Sequence, residues 1–325
     1  MLGYVVITGK GRSGTTWLAQ ILNHHPGCCY KHEPFPEWKR TPYTQWKRDL
    51  AGDEPPAELR SRFDAICRAC HHAVDLPPYP DKDFARGSPR VLHFLHGLGT
   101  RVPALRGLYE AYGRPRLPED GEILIKDVNF ETQLLPRLCA VLDPVLLAAI
   151  RNPFANVASH LAGVAKGIFG SDREHDAARA REVIEAPGGE PFRAWLPELA
   201  KMPDAMFEAL RWRIQVEPLV AVAEAQPRGR VVVYEDLCED PLGESEAIFA
   251  FIGWELGPAV RAFIEASISG EDRGADARRA YFSVYRDPRQ SLHKWRDQLD
   301  AQQQREIADV MRDSPLRDRW RDLPL

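Results

Sequence analysis

The chain has 325 residues, a formal net charge of −4 and six cysteines. Its length suits one large α/β domain or two smaller ones. The charge leaves no basic footprint for nucleic acid as the main partner, no apolar run reaches the ~18 residues of a membrane span, and six thiols in so long a chain do not read as a disulfide framework. An expected strand starts within the first few residues and leaves no room for a separate signal peptide, so reduced thiols in the cytoplasm are the expectation.

Tyr4 to Asn23 reads as strand, loop, helix. Val5, Val6 and Ile7 form the β-branched run of a strand buried on both faces. Gly9, Gly11 and Gly14 let the loop turn sharply and approach a ligand. Trp17, Leu18, Ile21 and Leu22 then recur at helical spacing. A glycine loop feeding a helix start offers free N–H groups and the positive end of a dipole, which suits phosphate or sulfate. Gly9 and Gly14 have Walker A spacing, but Thr15 stands where the lysine belongs. The cations come earlier, at Lys10 and Arg12. An anion is therefore expected, but not ATP with Mg²⁺ in the usual arrangement. The bland alternative is a tight turn with surface cations. The coincidence of glycines, cations and the hydroxyls of Ser13, Thr15 and Thr16 at one helix start weighs against it.

Pro26-Gly27 is a turn, and a short extended piece follows with Glu33 at its end, stopped by Pro34 and Pro36. By charge statistics alone Glu33 is a solvated loop carboxylate. Residues 35–120 are irregular, with helical periodicity over 57–74 and a second helix ending near Tyr112. Cys67-Arg68-Ala69-Cys70-His71 fits a haem-attachment signature and half a zinc site. The haem reading needs export and the zinc reading needs a second ligand pair. One buried helical face explains Cys67 and Cys70 more simply, so no metal is expected.

Glu122 to Asp127 is the next strand, with Lys126 at its carboxyl end. Leu134, Leu135, Leu138, Val141 and Leu142 make an amphipathic helix, and Val145 to Ile150 is a buried strand ending in Arg151. Asn152 is a good N-cap and Pro153 a good first helical residue. Ser159 lies eight residues after Arg151 on that helix. A Walker B strand would end in Asp, not Arg, which argues against a metal-dependent kinase. Glycines and prolines between 163 and 200 suggest mobile connections around a charged segment, 172–185. A long helix with Met206, Leu210, Ile214 and Leu219 inward follows, and Trp212 within it reads as core. Residues 230–234 form another buried strand, and a helix opens after Asp240-Pro241.

Gly11-Arg12-Ser13-Gly14-Thr15-Thr16-Trp17-Leu18 resembles the 5′-phosphosulfate loop of sulfotransferases that use 3′-phosphoadenosine 5′-phosphosulfate (PAPS). Arg151-Asn152-Pro153 through Ser159 is similar to the segment with which they bind the 3′-phosphate. A guanidinium fork and a hydroxyl on the helix that follows it suit that group. Glu33 matches the position of the proton-accepting glutamate in the tyrosylprotein and carbohydrate branches. Lys126 resembles the lysine of their Lys-Asp segment. The Tyr234-Glu235-Asp236-Leu237 stretch is similar to the one after the 3′-phosphate site, where Tyr234 and Glu235 are architectural. Lys294-Trp295 resembles the C-terminal loop that covers the cofactor, with Ser283 and Arg286 as candidates beside a solvated basic loop.

The runs at 4–8, 122–126, 145–150 and 230–234 alternate with helices. That pattern implies a single α/β domain over residues 1–325, with a mostly parallel central sheet, helices on both faces and a P-loop-like three-layer sandwich. Ligands of such sheets sit outside the carboxyl ends of the strands. The resemblance implies in-line sulfuryl transfer from PAPS to a hydroxyl or amine, leaving adenosine 3′,5′-bisphosphate. Glu33, Arg12 and Lys126 would be catalytic. Lys10, Gly11, Arg12, Ser13, Gly14, Thr15, Thr16, Trp17, Arg151, Ser159, Ser283 and Arg286 would hold the donor. Residues 35–120 and 163–200 would face a small-molecule, carbohydrate or peptide acceptor. An atypical P-loop kinase and a non-catalytic scaffold of the same fold are the alternatives.

Overall fold

The structure is a computed structural model that describes residues 1–84, 87–170, 172–269 and 288–320. Five strands form one sheet: β1 (Gly3–Gly9), β2 (Cys28–His32), β3 (Glu122–Val128), β4 (Val145–Ile150) and β5 (Gly229–Val233). Their order is β2-β3-β1-β4-β5, and all four pairings are parallel. The first strand therefore ends in the middle of the sheet. Chain connections leave it toward β2 on one side and later return to β4 on the other, which makes its carboxyl end the point where a crevice opens.

Strand alternation builds two cores from one sequence run. Tyr4, Val6, Ile123, Ile125, Leu146 and Ala148 face the helices Pro42–Leu50, Pro56–Cys67 and Leu135–Leu142. Val5, Ile7, Leu124, Val145, Leu147 and Ala149 face the helices Thr15–Asn23, Pro241–Ile252 and Pro258–Ile268. Each fully buried aliphatic contributes on the order of 1.5–3 kcal/mol. A third core joins the helices Pro153–Ala165, Arg173–Glu185, Asp204–Ala225 and Ala301–Met311. The expected sandwich is present.

Three local expectations shift. The helix expected over 57–74 stops at Cys67. Beyond it the Ala69 carbonyl accepts from Lys31 Nζ at 3.0 Å and the His71 N–H donates to Asp75 at 2.8 Å, so the backbone turns to meet β2 instead of continuing. The charged segment at 172–185 is a helix, Arg173–Glu185, whose first turn is capped by the Asp172 carboxylate. Both Cys67 and Cys70 are buried, but only Cys67 lies on the helix. Burial pushes the Cys67 thiol up to about 12, which suits an inert packing group better than a thiolate ligand. Trp212 is core, as expected.

Candidate active site

The carboxyl ends of all five strands contribute to one site. After β1 the chain turns through Lys10–Gly14 into the helix Thr15–Asn23, which has nine residues and no side-chain cap. Its first amides are thus left to a ligand rather than to the protein. Gly14 has φ 78°, and a Cβ there would run into the Tyr234 ring. At Gly9 a Cβ would strike the Ala149 carbonyl of the neighbouring strand. The loop is tight because two strands and an aromatic ring enclose it.

Three non-glycine residues at strand ends also take positive φ: Arg12 (72°), Glu33 (43°) and Asn129 (56°). Asparagine tolerates this region, whereas arginine and glutamate adopt it at a cost of roughly 1–2 kcal/mol each. Neighbouring strands hold them there. The Glu33 N–H donates to the Lys126 carbonyl at 2.6 Å, and the Asn129 N–H to the Gly9 carbonyl at 2.9 Å. Arg151 Nη1 donates to the Arg12 carbonyl at 3.2 Å.

On the β2–β3 side, Lys126 Nζ donates to Glu33 Oε1. Lys126 is buried and Glu33 half-buried. Burial works to raise the Glu33 carboxyl, but Lys126, with Lys39, outweighs it and holds the group below its ordinary value. Glu33 is therefore ionised at neutral pH. Burial takes His32 down to about 3, so that ring is neutral. Asp127, next in the chain, is buried and accepts the Phe35 N–H at 3.1 Å, which pins the turn carrying Glu33. Burial raises its carboxyl from 3.8 to about 7. The folded state then binds more protons than the unfolded state between those values, so stability falls as pH rises through that window. Asp127→Asn, which keeps the acceptor oxygen, should flatten that fall and gain about 1–4 kcal/mol at pH ~8 in urea titrations. An unchanged pH dependence would count against the assignment.

On the β4 side, Arg12 Nε donates to Ser159 Oγ at 3.1 Å. The guanidinium of Arg12 also lies 5.8 Å from the Phe169 ring centre. Arg151 stacks over Tyr234 at 4.7 Å, and its Nη2 donates to the Ser291 carbonyl at 3.2 Å. Glu235 lies 4.0 Å from Arg151 Nε and accepts the Asn152 N–H and Trp320 Nε1. So Tyr234 and Glu235 are architectural in a specific sense: they hold the one guanidinium. Asn152 caps the helix Pro153–Ala165 through the N–H groups of Phe154 and Ala155, as expected.

The structure brings Gly11, Arg12, Ser13, Gly14, Arg151 and Ser159 into contact and sets Glu33 with Lys126 beside them. Thr15 is buried and Thr16 half-buried at the first turn of the helix. Two side chains go elsewhere. Lys10 turns under the loop to Glu208 at 3.5 Å and Gln215 at 3.4 Å, where burial brings its amine down to about 8. Trp17 donates its indole N–H to Ser267 at 3.0 Å and meets the Tyr234 ring edge-on, with ring centres 6.4 Å apart. Trp295 packs on Phe154 at 5.0 Å. Ser283 and Arg286 lie outside the described residues.

Sequence reasoning missed two asparagines. Asn129 Oδ1 accepts the Gly11 N–H at 2.9 Å. The fully buried Asn156 donates to the Gly11 carbonyl at 2.9 Å and to Ser13 at 3.3 Å, and its Oδ1 has no partner among the described residues. Its signal was available, since Asn156 lies one helical turn before Ser159 on the same face.

A cleft of about 630 Å³ opens beside Glu33. Its walls include Phe35, Asp127, Asn129, Arg179 and Arg211, and Trp38 stands on its lip, 75% exposed. Of the two stretches expected to face an acceptor, only 35–38 with Lys47, and 175–192, reach it.

No protein-family model matches the chain. It is 32% identical to carbohydrate sulfotransferase 6 of Homo sapiens over 325 aligned residues, covering 94% of this chain and 78% of that protein. It is 23% identical to carbohydrate sulfotransferase 1 of Danio rerio, with 91% and 72% covered. Among solved structures, the sulfotransferase domain of the Synechococcus PCC 7002 olefin synthase superposes with a TM-score of 0.46 at 16% identity, over 96% of this chain and 94% of that one.

Proposed function

The chain belongs to the PAPS-dependent sulfotransferase family, and from that premise we propose that Glu33 is the base and a carbohydrate hydroxyl the acceptor of the sulfuryl transfer it catalyses. The observation that carries this reading is the Glu33–Lys126 pair, set between the anion loop and the open cleft.

The residues fit the donor. The helix Thr15–Asn23 starts without a cap, and the buried Asn156 Oδ1 is unpartnered among the described residues. When bound, PAPS supplies a sulfuryl group already activated on a phosphate leaving group. The loop amides and Arg12 would face the charge that grows on that phosphate. Arg151, oriented by Tyr234 and Glu235, would grip the second phosphate with its fork. Glu33 would accept the hydroxyl proton as the acceptor oxygen attacks, and its Oε2 is not the oxygen that Lys126 holds. Lys126 is placed to keep that carboxylate charged.

A carbohydrate acceptor is supported by the names of the relatives and by Trp38, whose exposed ring at the cleft lip offers a flat apolar face to a sugar. A reducing, cytoplasmic setting suits six cysteines that are all buried and free. The kinase alternative is disfavoured by Thr15 in the lysine position and by Lys10 turned toward Glu208.

The test has two arms. Adenosine 3′,5′-bisphosphate without metal should raise the melting temperature, and ATP with Mg²⁺ should not. Radiolabelled PAPS should then label members of a panel of neutral oligosaccharides in preference to peptides and small phenols. Stabilisation by ATP with Mg²⁺ alone would overturn the donor assignment, and labelling confined to peptides or phenols would overturn the acceptor.

A further inference from the structure

We propose that the helical hairpin of residues 87–116 docks the protein onto an anionic lipid surface. It consists of the helix Pro89–Arg101, a short turn Pro103–Leu105 and the helix Arg106–Tyr112. Its inner side is fixed to the body. His96 stacks on His72 with ring centres 4.3 Å apart, and buried Tyr109 donates to the Asp75 carbonyl and meets the Tyr79 hydroxyl at 3.0 Å. The opposite side is therefore held outward.

That outward side is apolar. Val91, Phe94, Leu95, Leu98 and Val102 recur at helical spacing, which puts them in one stripe. Only Gly99 is buried in the helix Pro89–Arg101. Eight large hydrophobic residues are exposed among the described residues, and five of them belong to this hairpin: Val91, Phe94, Val102, Leu108 and Tyr112. Phe94 is 67% and Leu108 54% exposed. Concentration of that kind marks an interaction surface rather than scattered surface apolarity.

Charge decides what the surface fits. Residues 87–116 hold Arg90, Arg101, Arg106, Arg114 and Arg116 against the single carboxylate Glu110. The hairpin is thus strongly cationic in a chain whose net charge is −4. All five arginines are exposed. A second copy of the same face would bring these cations together, which disfavours self-association. A polyanion such as a sulfated polysaccharide would use the arginines but leave Phe94 and Leu108 in water. An anionic bilayer uses both, with apolar side chains at the acyl boundary and guanidinium groups at the phosphates.

The experiment is co-sedimentation of the full chain with vesicles of phosphatidylcholine alone and of phosphatidylcholine with phosphatidylserine. Binding should favour the phosphatidylserine vesicles and weaken in ~1 M NaCl, where the Debye length is about 3 Å. Phe94→Ser with Leu108→Ser, and separately Arg90→Glu with Arg101→Glu, should each reduce it at least about tenfold. Both variants should keep the thermal shift with adenosine 3′,5′-bisphosphate, which shows that the fold is intact. No binding to phosphatidylserine vesicles overturns the proposal, and so does binding that the Phe94→Ser, Leu108→Ser variant retains. Heparin binding lost only with the arginines, without vesicle binding, would assign the face to a polyanion. A concentration-dependent dimer abolished by Phe94→Ser would assign it to a second copy.

Discussion

Glu33→Gln should lower kcat by about 10²–10⁴, the range expected for removing a general base, while leaving the affinity for adenosine 3′,5′-bisphosphate unchanged. Glutamine has the shape of glutamate, and its Oε1 can still accept from Lys126, so the contact that holds the turn survives. What is lost is the capacity to take a proton. Steady-state kinetics with PAPS and a saturating acceptor, with calorimetry of product binding, separate the two effects. Near-normal turnover would remove Glu33 from its role. The pH profile adds a signed check. Lys126, with Lys39, holds the carboxyl below 4.5, so the acid limb of kcat/KM should lie below that value. In Lys126→Met the chief opposing cation is gone and burial acts with less resistance, so the acid limb should move upward. A limb that stays in place would mean that another group titrates.

Gly14→Ala should cost about 2–5 kcal/mol, combining left-handed strain with overpacking against a ring. The φ of 78° is unfavourable for any residue with a Cβ, and the Tyr234 ring occupies the space the methyl would need. Relief by moving the loop displaces the amides of Thr15 and Thr16. A displacement of about 1 Å in such a site is enough to lose ~10²-fold in productive binding. The melting temperature should fall, and product affinity should fall with it. Adding Tyr234→Ala should restore part of the stability by freeing the space, but not the φ component. Because Tyr234 also carries Arg151, affinity should not recover alongside stability. An unchanged melting temperature in Gly14→Ala would sink the account of the loop.

How much of this was legible beforehand depended on the range of the interaction. The strand–loop–helix start, the Asn152-Pro153 cap and the β-branched runs are written in contiguous residues, and each appears where the pattern placed it. Glu33 and Lys126 were singled out separately, on a resemblance, and the sheet register pairs His32 with Lys126 and so makes them neighbours. The helix expected over 57–74 stopped at Cys67, where Lys31, 38 residues from Ala69 in sequence, claims the Ala69 carbonyl.

Sequence by itself determined the elements, their alternation and the anion-ready loop, because glycine freedom, capping and strand patterning act within a few residues. Tertiary structure alone decided which side chains meet: Lys10 turns to Glu208, Trp17 to Ser267, and Arg12 to Ser159. Those choices follow from the order β2-β3-β1-β4-β5 and from burial, which force each cation toward whichever partner the packed neighbours present. No local pattern carries that information, since it exists only once distant strands share a register.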